Sequence, residues 1–124
     1  MSDENEMRDP ELDPRLSSAA MSRVARYGKA FAQAGRGGEL AELLLAAADG
    51  LAEDPGCELY LVNREAGAPD VIWVTELWRS QADLDASLEK LRGSHEVAQV
   101  MALVADWKMI ELELLGGKGL VTAG

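Results

Sequence analysis

Between residues 24 and 115 the chain switches repeatedly between two hydrophobic rhythms, one with the period of a helix and one with the alternation of a strand. In "SRVARYGKAFAQAG", Val24, Tyr27 and Phe31 favour a strand over about residues 24–33, and the Gly-rich "AGRGG" supplies the turn that ends it. In "GELAELLLAAADGLAED", Leu40, Leu43, Leu44, Ala47 and Leu51 recur at helical spacing. That helix weakens at Gly50 and stops by Asp54, because Pro55 disfavours helical geometry in the residue before it. "CELYLVNRE" and "DVIWVTELWR", joined by "AGAP", read as a β-hairpin. Ser80 opens a second helix with Asp83 three residues on, in the manner of a capping box, and Leu84, Leu88 and Leu91 form its apolar stripe. Gly93 ends it, and Ser94 caps a third helix whose apolar face is Val97, Val100, Met101 and Val104. In "KMIELELL", Ile110, Leu112 and Leu114 alternate with Met109, Glu111 and Glu113, the mark of a half-buried final strand.

The resulting order, β-α-β-β-α-α-β, predicts an α+β, ferredoxin-like fold: a four-stranded antiparallel sheet with its helices on one face. The other face then needs a cover, and a second copy of the chain is the simplest one. Two of the three tryptophans bear on this. Trp73 and Trp78 lie an odd number of residues apart on one strand, so they point to opposite faces. Ile72, Val74, Glu76 and Trp78 are expected to face the helices; Trp73, Thr75 and Leu77 are expected to face a partner sheet in a homodimer.

Charge changes the picture mainly by exclusion. The formal net charge is −10, which argues against nucleic acid and against an anionic membrane surface as partners. No run of apolar residues is long enough to span a membrane. The opening "MSDENEMRDPELDP" lacks the basic and apolar blocks of a secretory signal, so a cytoplasmic protein is expected. Residues 1–21 read as an acidic N-terminal extension, 22–115 as the folded domain and 116–124 as a Gly-rich tail. A single cysteine, Cys57, and a single histidine, His95, exclude an internal disulfide and the usual zinc and iron–sulfur sites, so no metal is expected.

Candidate chemistry is correspondingly sparse. His95 is the one imidazole, a potential general base near neutral pH or simply an exposed first-turn helix residue. Glu76 sits among apolar positions and is expected to be buried, either as a base or hydrogen-bonded to Ser87. Leu44, Val74, Leu84 and Met101 could wall an apolar substrate pocket around Trp78; the same stripes also serve as plain core.

Four pieces in sequence order, "AGRGGELAELL", "EDPGCELYLV", "ELWRSQADLDASL" and "GSHEV", resemble the antibiotic biosynthesis monooxygenase domain, a branch of the dimeric α+β-barrel proteins. The resemblance covers roughly residues 24–115. It implies a homodimer with a ligand pocket between sheet and helices. Members include oxygenases that oxidise anthrones or quinols with O2 and no bound metal or flavin; other relatives degrade haem, isomerise small metabolites or have no known activity. It implies a pocket role for Trp78, whose indole can stack on a planar aromatic ligand and donate its N–H to a carbonyl oxygen. It also implies site positions at Asn63 and His95. The chain departs from the family at Ser87, where many members have His, and at Val74 and Leu84, where some anthrone oxidisers have polar residues. The first strand lacks the Asn that the haem-degrading relatives require, which argues against haem breakdown.

Overall fold

The computed structural model describes residues 23–119; the acidic extension expected over residues 1–21 and the end of the Gly-rich tail lie outside the described residues. Seven elements follow in order: β1 (Val24–Ala32), α1 (Gly37–Gly50), β2 (Cys57–Glu65), β3 (Ala68–Trp78), α2 (Gln81–Leu91), α3 (His95–Leu103) and β4 (Val104–Glu113). The strands form one antiparallel sheet in the order β2-β3-β1-β4, the ferredoxin-like arrangement.

Side-chain parity on β3 follows the alternation, but Leu77, expected to face a partner sheet, is already buried within the single chain at 4% exposure. Ile72, Val74, Glu76 and Trp78 are buried on the helix side, paired across to Ala30, Gly28, Arg26 and Val24 of β1. Trp73 and Thr75 point the other way, opposite Lys29 and Tyr27. A dry core of Ala30, Ala32, Leu40, Ala41, Ile72 and Leu103 joins one end of the sheet to α1 and α3, with Leu43, Leu44, Val62, Val100 and Val104 packed around it.

Close backbone contacts fix the helices on this sheet. No side chain of its own caps α1, whose N-cap residue is Arg36. Asp70, at the start of β3, accepts hydrogen bonds from the backbone N–H groups of Gly35 and Gly37, both at 2.9 Å. Those two bonds hold its carboxyl below the usual carboxylate range. Gly35 turns the chain with φ +76°, and a Cβ on Gly37 would overlap the Pro69 carbonyl oxygen. At the other helix layer contact, a Cβ on Gly56 would stand 2.6 Å from Cβ of Asp83.

The start of α2 modifies the expected capping box. Ser80 Oγ accepts from the Asp83 N–H at 3.1 Å, but the Asp83 carboxylate takes the Ser80 hydroxyl at 2.9 Å and clamps Arg79 at 2.8 and 3.0 Å.

Three expectations need correction. The buried face of α2 is Leu84 with Ser87, while Leu88 and Leu91 are exposed. The apolar stripe tolerates either rotation of the helix, and the sheet takes the one that turns Ser87 inward. On α3, Val100 and Leu103 meet the core, whereas Val97 and Met101 are exposed. Val104 is not on that helix at all. It is the C-cap of α3 and the first residue of β4, so no turn residue marks the junction, and the strand begins before "KMIELELL". The junction is pinned by the Gln33 N–H donating to the Leu103 carbonyl at 2.7 Å. As an edge strand, β4 leaves Ile110 and Leu112 exposed on the helix-free face.

Candidate functional site

The helix side of the sheet has two unlike halves. Beyond the dry core, strand register places Tyr60 (β2), Glu76 (β3), Arg26 (β1) and Glu111 (β4) in one row across the sheet. The next row holds Cys57, Trp78 and Val24. Arg26 and Glu76 are both buried, with 9% and 6% of their surfaces exposed. Buried charges persist only when paired, and these two pair with each other: Arg26 Nε lies 3.4 Å from Glu76 Oε1. The same carboxylate oxygen accepts a hydrogen bond from Trp78 Nε1 at 2.8 Å. Glu76 thus takes its bond from its own strand rather than from Ser87.

Two further groups share this environment. Burial, reinforced by the Glu76 charge, pushes the Tyr60 phenol up to about 12, so it is a neutral hydrogen-bonding group at physiological pH. Burial likewise pushes the Cys57 thiol up, and its Sγ lies 3.6 Å from the Leu59 carbonyl it donates to. An unreactive thiol follows. On the sheet floor next to Arg26, Gly28 leaves room that the Met109 side chain occupies; a Cβ on Gly28 would stand 2.9 Å from Met109 Cε.

The residues singled out from sequence divide cleanly. Trp78, Glu76, Val74 and Leu84 lie buried in the layer between sheet and helices, with Trp78 2% exposed and Leu84 fully buried. Leu44 packs against the dry core. Asn63 pairs with Trp73 and so lies on the helix-free face, opposite to Trp78. His95 stands exposed in the first turn of α3, and Met101 is 48% exposed. Asn63 therefore lies on the face opposite Trp78, whereas His95 and Met101, though carried by a helix on the Trp78 side, are exposed and not buried with it. Sequence reasoning missed Arg26 and Tyr60. The signal was present: a charge at the inward parity of a central strand, two and four residues from Gly28 and Ala30, demands a buried partner.

A groove of about 520 Å³ opens between α1 and α3, lined by Arg36, Glu39, Glu42, Leu43, Gln99, Ala102 and Leu103; none of the candidate residues lines it. Among the described residues, no three His, Cys, Asp or Glu side chains converge as a metal site, and no helix is long and apolar enough to cross a membrane.

With fold and site in place, comparison with known proteins assigns the class. Residues 24–91 match the profile of the antibiotic biosynthesis monooxygenase family, and the chain belongs to that family. A candidate antibiotic biosynthesis monooxygenase from Chloroflexus aurantiacus J-10-fl superposes with a TM-score of 0.69 at 31% identity, covering 80% of this chain and 99% of that one. A second, from Deinococcus radiodurans, gives 0.66 at 25% identity over 82% and 99% of the two chains. A variant of SnoaB, a cofactor-independent oxygenase from Streptomyces nogalater, shares the fold with a TM-score of 0.66 at 13% identity, over 81% and 97%. No curated protein matches the sequence.

Proposed function

We propose that this chain is a monooxygenase that oxidises a small phenolic, quinol or anthrone-like compound with O2, without bound metal or flavin, and that it works as a homodimer. Family membership supports the class. The observation that carries the reading is the Trp78 Nε1–Glu76 Oε1 hydrogen bond of 2.8 Å, which orients a buried carboxylate beside Arg26 between sheet and helices. Glu76 is the proton acceptor, and Trp78 is the positioning residue that fixes its oxygen.

The chemistry asks little of the protein beyond a base, orientation and exclusion of water. An anthrone loses a proton to the base. The resulting anion gives one electron to O2, and the substrate radical and superoxide combine to form a C–O bond. Protonation yields a hydroperoxide; loss of water leaves the ketone. The carbon is oxidised by four electrons, and one oxygen atom ends in the quinone and the other in water.

The dimer reading rests on the helix-free face, where Tyr27, Leu61, Ile110 and Leu112 are exposed around Trp73. An apolar surface of that kind marks an interaction site. In a two-fold assembly the same face of each copy covers the other.

One observation favours a second reading. The near-complete burial of Trp78 and Leu84 fits a dimer that binds a small ligand without turning it over. Oxygen uptake separates the two. Purified protein freed of metal and flavin is given an anthrone, and O2 consumption is compared with quinone formation. One O2 per quinone is expected, at a rate above uncatalysed autoxidation. Trp78→Ala should lose most of the rate and His95→Ala, at an exposed position, little. No excess over autoxidation across a panel of phenols and anthrones, with ligand binding retained, would leave the binding dimer.

A further inference from the structure

Arg26 carries more hydrogen-bonding capacity than its surroundings use. A guanidinium has five N–H donors, and among the described residues Arg26 pairs only with Glu76, through an oxygen already bonded to Trp78. Its Nε is fully buried and makes no hydrogen bond. Leaving such a donor unmet is costly, so a buried, donor-rich cation calls for an oxygen acceptor that the described residues do not supply.

A way in is also visible. The helix-side positions of β4 are largely uncovered: Glu111, across from Arg26, and Glu113, across from Val24, are exposed, and Trp107, across from Ala30, is 47% exposed. Beside Glu111, Met109 folds over Gly28, the next inward position of β1. Methionine has a flexible, unbranched side chain that can vacate its position and then pack against an aromatic ring.

We propose that Arg26 is the site for the substrate's anionic oxygen: a phenol reaches it from the β4 edge over Gly28, displacing Met109, and is held there as the phenolate. This deepens the oxygenase reading and rests on it for the phenolic substrate class. The phenol O–H bond breaks and its proton passes to Glu76; the phenolate oxygen replaces the Glu76 carboxylate as the acceptor of the Arg26 N–H groups. The layer starts with one positive and one negative charge and ends with one of each, so no net charge is buried by the exchange. Tyr60, neutral in this environment, offers a further hydroxyl to the row. Glu111 faces Arg26 from β4 but is exposed, and water screens its charge. The buried Glu76 carboxylate disfavours a substrate that arrives already ionised, which selects for a neutral phenol that ionises on the site.

The test uses 4-nitrophenol, whose ionisation is read from its visible absorbance and which needs no turnover. With the wild-type protein, the bound phenol should ionise at a pH at least about one unit below its value in water, a tenfold shift of the equilibrium. Removing Arg26 alone would strand Glu76, so the informative variant is Arg26→Met with Glu76→Gln, which removes both charges together. It should keep the wild-type circular dichroism and lose the shift; Arg26→Lys should restore part of it in the presence of Glu76. Unshifted nitrophenol on the wild type, or the same shift on the folded double variant, would overturn the assignment. The two readings fail separately. A shift that depends on Arg26 without O2 uptake on any anthrone upholds the anion site and removes the oxygenase. Turnover with a pH profile indifferent to Arg26→Lys upholds the oxygenase and removes the anion site.

Discussion

Two adjacent glycines, Gly37 and Gly38, should respond to the same substitution with opposite sign. Both lie in the first turn of α1, and neither has a positive φ, so alanine is conformationally acceptable at each. At Gly38 the new Cβ meets nothing within 4 Å. Gly38→Ala should therefore stabilise by about 0.4–1 kcal/mol, chiefly by restricting the unfolded chain. At Gly37 the Cβ would overlap the Pro69 carbonyl oxygen and lie 2.7 Å from Asp70 Cα, both of them backbone atoms of a central strand. Neither can rotate away, so the start of α1 must lift off β3, at a cost of about 1–3 kcal/mol for overpacking. That lift also lengthens the two 2.9 Å bonds to Asp70. The expected gap between the variants is about 1.5–4 kcal/mol. Equilibrium urea unfolding, followed by tryptophan fluorescence and circular dichroism at one fixed protomer concentration, measures it. The same loss at Gly37 should lower Tm by ~4 °C or more. Equal effects at the two positions, or a stabilised Gly37→Ala, would refute the tight docking of α1 on β3.

Trp73→Glu should break the proposed homodimer, since it places a charge on the helix-free face; sedimentation velocity should show a dimer for the wild type and a folded monomer or aggregate for the variant, and an unchanged dimer would move the interface elsewhere. Asp70 is held below its unfolded pKa, so its contribution is present above the unfolded value of ~3.9 and is lost as pH falls through the folded value. Asp70→Asn should accordingly flatten the acid limb of the stability profile, as read by denaturant midpoint against pH. Tyr60 is shifted the other way, to about 12. Its neutral form supports the fold fully below the ordinary tyrosine value of ~10, and that support is lost as pH rises from there to the folded value. Ultraviolet titration should show one tyrosine ionising late, and Tyr60→Phe should abolish that late step.

The elements were largely legible because their periods differ. The alternation in "DVIWVTELW" set β3 and the opposite faces of Trp73 and Trp78, and the Pro55 and Gly93 breaks bounded the helices. What escaped was decided between distant parts of the chain. Helix rotation on α2 and α3 depends on the sheet beneath, so Leu88 and Met101 looked inward in the sequence and are exposed in the fold. The α3–β4 junction carries no Gly or Pro, because the helix runs directly into the strand at Val104. In the site, Trp78 and Glu76 are neighbours in sequence and were found together, whereas Arg26 and Tyr60 reach them only through strand register. Asn63 was misplaced for a related reason. Its parity on β2 opposes that of Tyr60 and Val62, and resemblance to relatives carries no information about that alternation.

The borrowed cap on α1 makes one end of the helix depend on a distant part of the chain. A helix that opens on Arg36, Gly37 and Gly38 has two poor helix formers in its first turn and no local side chain to satisfy its N–H groups. Its cap is Asp70, 33 residues away along the chain from Gly37. That carboxylate arrives only when β3 pairs with β1 and Phe31 meets Val71. The start of the first helix is thus completed by the sheet it covers: its cap exists only where β1 and β3 are paired, so local sequence alone does not hold that end of the helix.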